Sequence, residues 1–255
     1  MWLRAGKFFT GLIFTSLCAL TSVAYCSSDF GKQLEQADSL RSADPKKFEA
    51  LLQQLDDDAA NATVDQLEQL RYLQAYRLAY SGQFNLAIQK ATAIFEQSRN
   101  TNLKYRAGLL ITNSYTISRN FGAGFAFLDK TLLLQKKITD HQLQQDGLIV
   151  ASQLYNQVGQ YGLSRHYAEQ VLNDNPAARS RCFANNSLLE SLYSLDMLPK
   201  DDTQIYELIA SCSEHGEVLL ANGSRIYLAR KWFRQGETQK RSEERRVGKE
   251  CEDLC

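Results

Sequence analysis

Tyr80-Ser-Gly-Gln-Phe-Asn-Leu-Ala-Ile88 decides how this chain folds, because three later stretches repeat its pattern. They are Ser118-Arg-Asn-Phe-Gly-Ala-Gly-Phe125, Gln157-Val-Gly-Gln-Tyr-Gly-Leu-Ser-Arg165 and Phe233-Arg-Gln-Gly-Glu-Thr-Gln239. Each follows a segment with helical apolar spacing, and all but the last introduce another. A glycine at the end of the first helix permits a left-handed cap. The aromatic two residues later fills the space between helices, and the small residue beyond it lets their backbones approach. The pattern therefore predicts antiparallel helical hairpins, recurring at a period of roughly forty residues.

These stretches resemble the tetratricopeptide family, whose hairpin turn reads Gly-Asp-Tyr before an alanine-containing second helix. Gly82, Phe84 and Ala87 fill the turn, aromatic and small-residue places of the first unit. Gly159, Tyr161, Ser164, Val171 and Pro176 match in the third. The second is looser, with Arg119 in the glycine place, Phe121 as the aromatic and Gly124 as the small residue. The period exceeds the family's roughly thirty-four residues, so the likeness is to degenerate, longer-looped members. It covers about Leu67 to Lys240 and implies an all-α, right-handed α-solenoid of antiparallel helical hairpins.

Composition agrees with an all-α class. Only 3 Pro and 14 Gly interrupt a chain rich in Leu, Ala, Gln and Glu, and β-branched runs are scarce. Before the repeats, Phe30 to Arg41 and Pro45 to Leu55 form a helix pair around the turn Ser42-Ala43-Asp44-Pro45, and Asp56-Asp57-Asp58 reads as a solvated break. Further pairs are expected at Leu103 to Ser118 with Phe121 to Lys137, and at Gln142 to Val158 with Tyr161 to Asn173. A fourth, Ala177 to Leu195 with Thr203 to Ser213, lacks the turn glycine and turns through Met197-Leu-Pro-Lys200. Gly216 to Gln235 begins a fifth. The domains expected are an N-terminal hairpin over 29–63 and the repeat array over 64–240.

The two ends read differently from the middle. Residues 1–28 have the form of an export signal: Arg4 and Lys7, then an uncharged apolar run from Phe8 to Val23, then small residues. Cleavage fits after Ala24 or after Cys26. The run is also close to spanning length, which would make it an anchor. Acylation at Cys26 is disfavoured by the bulk of Tyr25 before it. The mature chain is thus expected outside the cytoplasm, in the periplasm of a Gram-negative bacterium. At the other end, Arg241-Ser-Glu-Glu-Arg-Arg-Val-Gly-Lys-Glu-Cys251 resembles a translated sequencing adapter, so 241–255 is read as an artefactual tail without functional weight. After Gly236 the repeat calls for a small residue at Arg241 and then an apolar face, which the chain does not supply. Ile226, Tyr227, Trp232 and Phe233 are accordingly expected to be partly uncovered, since a repeat cannot bury its apolar stripe alone.

Net charge is zero and the basic residues are scattered, which argues against a nucleic-acid partner. His141, His166 and His215 fall in different units without metal-ligand spacing, and no phosphate loop, nucleophile elbow or paired-carboxylate motif occurs. No metal, cofactor or catalytic residue is expected. Cys182 and Cys212 are placed about sixteen residues before and about fourteen after the turn near Leu198, nearly opposite each other at a rise of about 1.5 Å per residue. In an oxidising compartment they can form a disulfide; as free thiols they would be small core residues.

In the tetratricopeptide family the first helix of each unit lines a groove. The matching positions here are Tyr72, Tyr76 and Tyr80, then Arg106, Asn113 and Thr116, then Gln153 and Asn156, then Arg230 and Arg234. Aromatic, amide and guanidinium groups suit a protein or peptide partner, or a signal ligand; the competing reading is that the tyrosines fill gaps between units. An export signal followed by such an array resembles the periplasmic sensory region of membrane-tethered diguanylate cyclases with a GGDEF domain, the alternative being a stand-alone periplasmic adaptor for envelope assembly or secretion.

Overall fold

The structure, a computed structural model, describes residues 18–237. Every regular element among the described residues is helical, so the chain is all-α. It divides into two compact units, one running to Gln83 and one starting at Phe84.

The first unit holds α1 (Cys18–Leu40), α2 (Pro45–Asp57) and α3 (Val64–Tyr80). Asp44 caps α2 by accepting from the Lys47 amide at 3.1 Å, with Pro45 at the first helical position. Thr63 and Gln66 close a reciprocal capping box on α3. Leu34, Leu52, Leu55, Leu70 and Leu73 are fully buried, because α3 packs on both α1 and α2. This unit therefore takes in the helix expected to head the repeat array. Asp56 and Asp57 are helical rather than a break, and Asp56 accepts from Gln74 of α3 at 2.6 Å. Helix α1 runs unbroken across the expected signal boundary at Ser28; residues 1–17 lie outside the described residues.

The second unit holds α4 (Phe84–Gln97), α5 (Thr101–Ile117), α6 (Phe121–Leu132), α7 (His141–Gln157), α8 (Tyr161–Asn173), α9 (Ala178–Ser194), α10 (Thr203–Glu214) and α11 (Val218–Arg234). Helices consecutive in sequence pack together, and the odd-numbered ones form a second series in which α5 meets α7, α7 meets α9 and α9 meets α11. Tyr105, Leu109, Leu128, Val150 and Leu154 make a core among α5, α6 and α7. Ile149, Val171 and Ala184 join α7, α8 and α9. Leu189, Ile205, Ile209, Leu228 and Trp232 make the core of α9, α10 and α11.

The turns after α5, α7, α9 and α11 share one backbone device. A residue with positive φ follows the helix: Arg119 (60°), Gly159 (76°), Asp196 (58°) and Gly236 (78°). In each case its amide and the next one reach back to carbonyls of the last helical turn, as Gly159 does to Asn156 at 3.0 Å and Gln160 to Tyr155 at 2.9 Å. This paired arrangement satisfies carbonyls that a helix end leaves unpaired. The fourth turn, where no glycine stands, makes the same bonds through Asp196 and Met197, at 3.2 and 2.7 Å.

Two departures from the expected elements have local causes. Helix α6 stops at Leu132, and a short 3₁₀ turn over Gln135–Lys137 tightens the chain so that Ile138 is buried and its carbonyl accepts from Gln144 at 2.6 Å. On α11, Ile226 and Phe233 are 52% and 60% exposed, but Trp232 is only 2% exposed and is not uncovered as expected. It packs back onto α9 and α10, and its indole N–H donates to Asp202 at 2.8 Å. The buried Lys231 ammonium also pairs with Asp202 and donates to the Lys200 carbonyl at 2.8 Å, so one carboxylate satisfies both side chains. Leu219, 86% exposed, stands on the same side of α11 as Ile226 and Phe233, seven and fourteen positions before them. Leaving such a side chain in water forgoes roughly 1.5–3 kcal/mol. The stretch from Arg241 onward lies outside the described residues.

Candidate binding groove

A groove of about 700 Å³ crosses α5, α7, α9 and α11 in the second unit. Its walls follow from the caps. Asn113, Gln153, Glu190 and Arg230 each stand six positions before a left-handed residue, at 119, 159, 196 and 236, and all four line the groove. Equal distance from equivalent caps gives equivalent rotation about each helix, so one face of the series carries an amide, an amide, a carboxylate and a guanidinium in order.

Asn156 lies beneath that row. It is buried, its amide donates to the Ser187 carbonyl at 3.0 Å and to the Glu190 carboxylate at 3.3 Å, and it accepts from Ser191 at 2.8 Å. It therefore ties α7 to α9 under the groove and is not free to reach a ligand. Thr116 lines the groove but is also buried, its hydroxyl donating to the Thr112 carbonyl at 2.8 Å. Phe183, Leu219 and Ile226 make one part of the lining apolar.

Glu190 and Tyr227 both sit in perturbed settings. Burial pushes the Glu190 carboxyl above the ordinary glutamate range, and a Tyr227 hydrogen bond, the nearby Arg230 charge and the Asn156 hydrogen bond pull only part of the way back. The Tyr227 hydroxyl is in turn pushed up by burial and by the Glu190 charge. Arg230 lies over the rings of Tyr193 and Tyr227, at 5.7 and 5.5 Å from their centroids. Arg179 pairs with Glu217, Lys231 with Asp202 and Arg234 with Asp196, while Arg230 acts on Glu190 through its charge.

The remaining expected groove residues lie elsewhere. Arg106 is half-buried on α5 and outside the lining. Arg234 is drawn to the turn after α9, with its guanidinium 3.7 Å from the Tyr193 ring centroid and donating to the Tyr193 carbonyl at 2.9 Å. Tyr72, Tyr76 and Tyr80 belong to the first unit. Tyr72 is 4% exposed and so packs inside, where the Arg41 guanidinium donates to its hydroxyl at 3.5 Å. Tyr76 meets Phe48 edge to face at 6.2 Å and takes the Arg41 guanidinium on its ring at 5.0 Å, while Tyr80 is exposed.

No family model, curated protein or solved structure matches the chain. The site must be read from its own geometry.

Cys182 of α9 and Cys212 of α10 are joined by a disulfide in a fully buried setting, with their Cα atoms 5.9 Å apart. His141 pairs with Asp174 at 2.7 Å, His166 contacts Gln170 at 3.1 Å, and His215 contacts the Ser211 carbonyl at 2.7 Å. Among the described residues no group of three ligating side chains is close enough to hold a metal, and no helix is long and apolar enough to cross a membrane. Glu190, Tyr227 and Phe183 are among the groove residues absent from the sequence-level set. Glu190 had a usable signal, its place six before a cap, but that cap is Asp196 rather than a glycine.

Proposed function

We propose that this chain is a non-catalytic, exported binding module whose second unit is a right-handed tetratricopeptide-like solenoid holding an extended peptide. The observation that carries the proposal is the single polar row contributed by four helices in equal register to one groove. A row of that kind repeats with the helix spacing, so it suits a ligand that is itself a repeating chain. The packing of α5 on α7, α7 on α9 and α9 on α11 supports a solenoid. The disulfide between α9 and α10 supports an oxidising compartment. Within that compartment the module serves as the sensory region of a membrane-tethered signalling protein of diguanylate cyclase type, shifting a two-state equilibrium when its ligand binds.

The test is binding of a mixed library of unstructured peptides to the full chain, read by fluorescence anisotropy. Affinities in the micromolar range are expected, and Gln153→Trp, which fills the groove from one wall, should weaken binding at least about tenfold with helicity unchanged. Peptides that fail to bind, or that bind Gln153→Trp as tightly as the unchanged chain, would remove the proposal.

A further inference from the structure

On α7 and α9, positions counted back from the left-handed residue at 159 or 196 reach across to the next helix of the series. On α7 they stand ten and three before it: Ile149 shares a core with Ala184 of α9, and Asn156 donates to the Ser187 carbonyl at 3.0 Å. On α9 they stand seventeen, ten and three before it. Arg179 pairs with Glu217 at the start of α11, Asn186 donates to the Leu220 carbonyl at 2.8 Å, and the Tyr193 ring meets that of Tyr227 at 6.1 Å. The same three positions before Gly236 on α11 are Leu219, Ile226 and Phe233, which are 86%, 52% and 60% exposed. The mixed and largely polar character of the earlier contacts gives way there to three large apolar side chains.

The arrangement of the three is symmetric. Leu219 and Phe233 stand seven positions either side of Ile226, so two copies of α11 laid antiparallel about Ile226 bring Ile226 onto Ile226 and each Leu219 onto a Phe233. A surface that matches itself in this way is what a twofold pair requires. In the same register Gly223 falls opposite Ala229, which lets the helices approach, and Arg230 falls opposite the amide of Asn222, so no charge meets its like. A seven-residue apolar repeat drifts by about 20° per heptad on a straight helix, which suits a shallow crossing of two helices. Residues 238–255 are mostly charged, with Val247 and Leu254 as their large apolar side chains, so that stretch carries no apolar stripe to match.

We propose that α11 is a self-association surface, on which a second copy of this chain docks its own α11 antiparallel through Leu219, Ile226 and Phe233. Leu219 and Ile226 also line the groove, so the second copy closes the groove at its α11 end. The pairing does not depend on what the groove holds. One pair of helices is a smaller contact than the roughly 800 Å² per partner of a stable interface, so a dissociation constant of about 10–100 μM is expected.

The experiment is sedimentation velocity on the full chain over about 1–300 μM, which should show a monomer in equilibrium with a dimer. Ile226→Glu sets two carboxylates together on the twofold axis and should weaken the dimer at least tenfold, with the circular dichroism spectrum unchanged. Leu133→Glu, at an apolar side chain of α6 that is 78% exposed, should leave it as it was. Disulfide trapping then reads the geometry, in a chain whose Cys18, Cys26, Cys251 and Cys255 are replaced by serine. Ile226→Cys should cross-link to itself on oxidation, whereas Leu219→Cys and Phe233→Cys should cross-link when mixed and not when alone. A chain that stays monomeric throughout, or a dimer as strong in Ile226→Glu as in the unchanged chain, overturns the proposal. So does Leu219→Cys cross-linking to itself in place of the mixed pair, since that marks a parallel arrangement. A monomer that Ile226→Glu unfolds shows the stripe to be covered from within one chain, and overturns it too. Each of these outcomes leaves peptide binding to be decided by its own titration.

Discussion

Glu190 shows a residue kept at a cost to the fold. Its carboxyl is pushed up chiefly by burial, so the folded state holds its proton more tightly than the unfolded chain does. The sign follows by linkage: the group costs nothing below the ordinary glutamate value of 4.5, and the cost grows as pH rises through the raised folded value. Glu190→Gln is therefore expected to raise the melting temperature at pH 7, with the gain fading below about pH 4. Thermal melts of both proteins at pH 7 and pH 3.5 check this, and a variant less stable at pH 7 would sink the account. A tighter packing constraint sits at Gly147 of α7, where an added Cβ would fall 1.8 Å from the Tyr105 hydroxyl of α5. That hydroxyl is buried with no hydrogen-bond partner among the described residues. No repeat motif marks Gly147. The motif's own small residue, Gly124, has no neighbour closer than 3.7 Å to such a Cβ, so sequence singled out the glycine whose absence of a side chain matters less.

At the scale of elements, the helices were legible because their signals are local. Asn100 and Asp140 cap α5 and α7 by accepting from Leu103 and Leu143, both at 3.1 Å, and α8 spans Tyr161–Asn173 as its spacing predicts. The fourth turn was not legible, since an aspartate rather than a glycine takes the left-handed conformation. The end of α6 was not either, because the 3₁₀ turn is imposed by burying Ile138 and leaves no mark in the apolar spacing. The caps differ in cost. A side chain at positive φ is strained by roughly 1 kcal/mol relative to glycine, and Arg119 bears that strain at 60°. Arg119→Gly should thus stabilise the chain by about 0.5–1 kcal/mol, while Gly159→Ala at 76° should destabilise it by about 1 kcal/mol. Urea denaturation resolves the two shifts, and the same sign for both would show that the caps are not equivalent.

For the molecule as a whole, the groove is where sequence reached only part way. Asn113, Gln153 and Arg230 were assigned to it from family likeness and do line it; Arg106 and Arg234 were assigned by the same likeness and do not. Position along a helix follows from spacing, but whether a long side chain stays in the groove depends on what competes for it, as the Tyr193 ring and carbonyl do for Arg234. The disulfide acts at this scale too. It closes a 30-residue stretch around the turn between α9 and α10, and such a closure is worth about 3 kcal/mol through the unfolded chain. Replacing both cysteines by serine should lower stability by about that amount and remove the effect of reductant on the melting temperature. A reductant-sensitive melt that persists in the double variant would contradict it.

The caps also bear on how such a chain can change length. Each closes with bonds that stay inside its own turn, and each fixes the rotation of the residue six places before it. Copying or deleting the segment between two successive caps of this series, as from Gly159 to Asp196, therefore adds or removes one whole rung of the polar row while leaving the neighbouring rungs in phase. Gene duplication acting on this fold can tune the length of the groove, in steps of one helix pair, without redesigning any single contact.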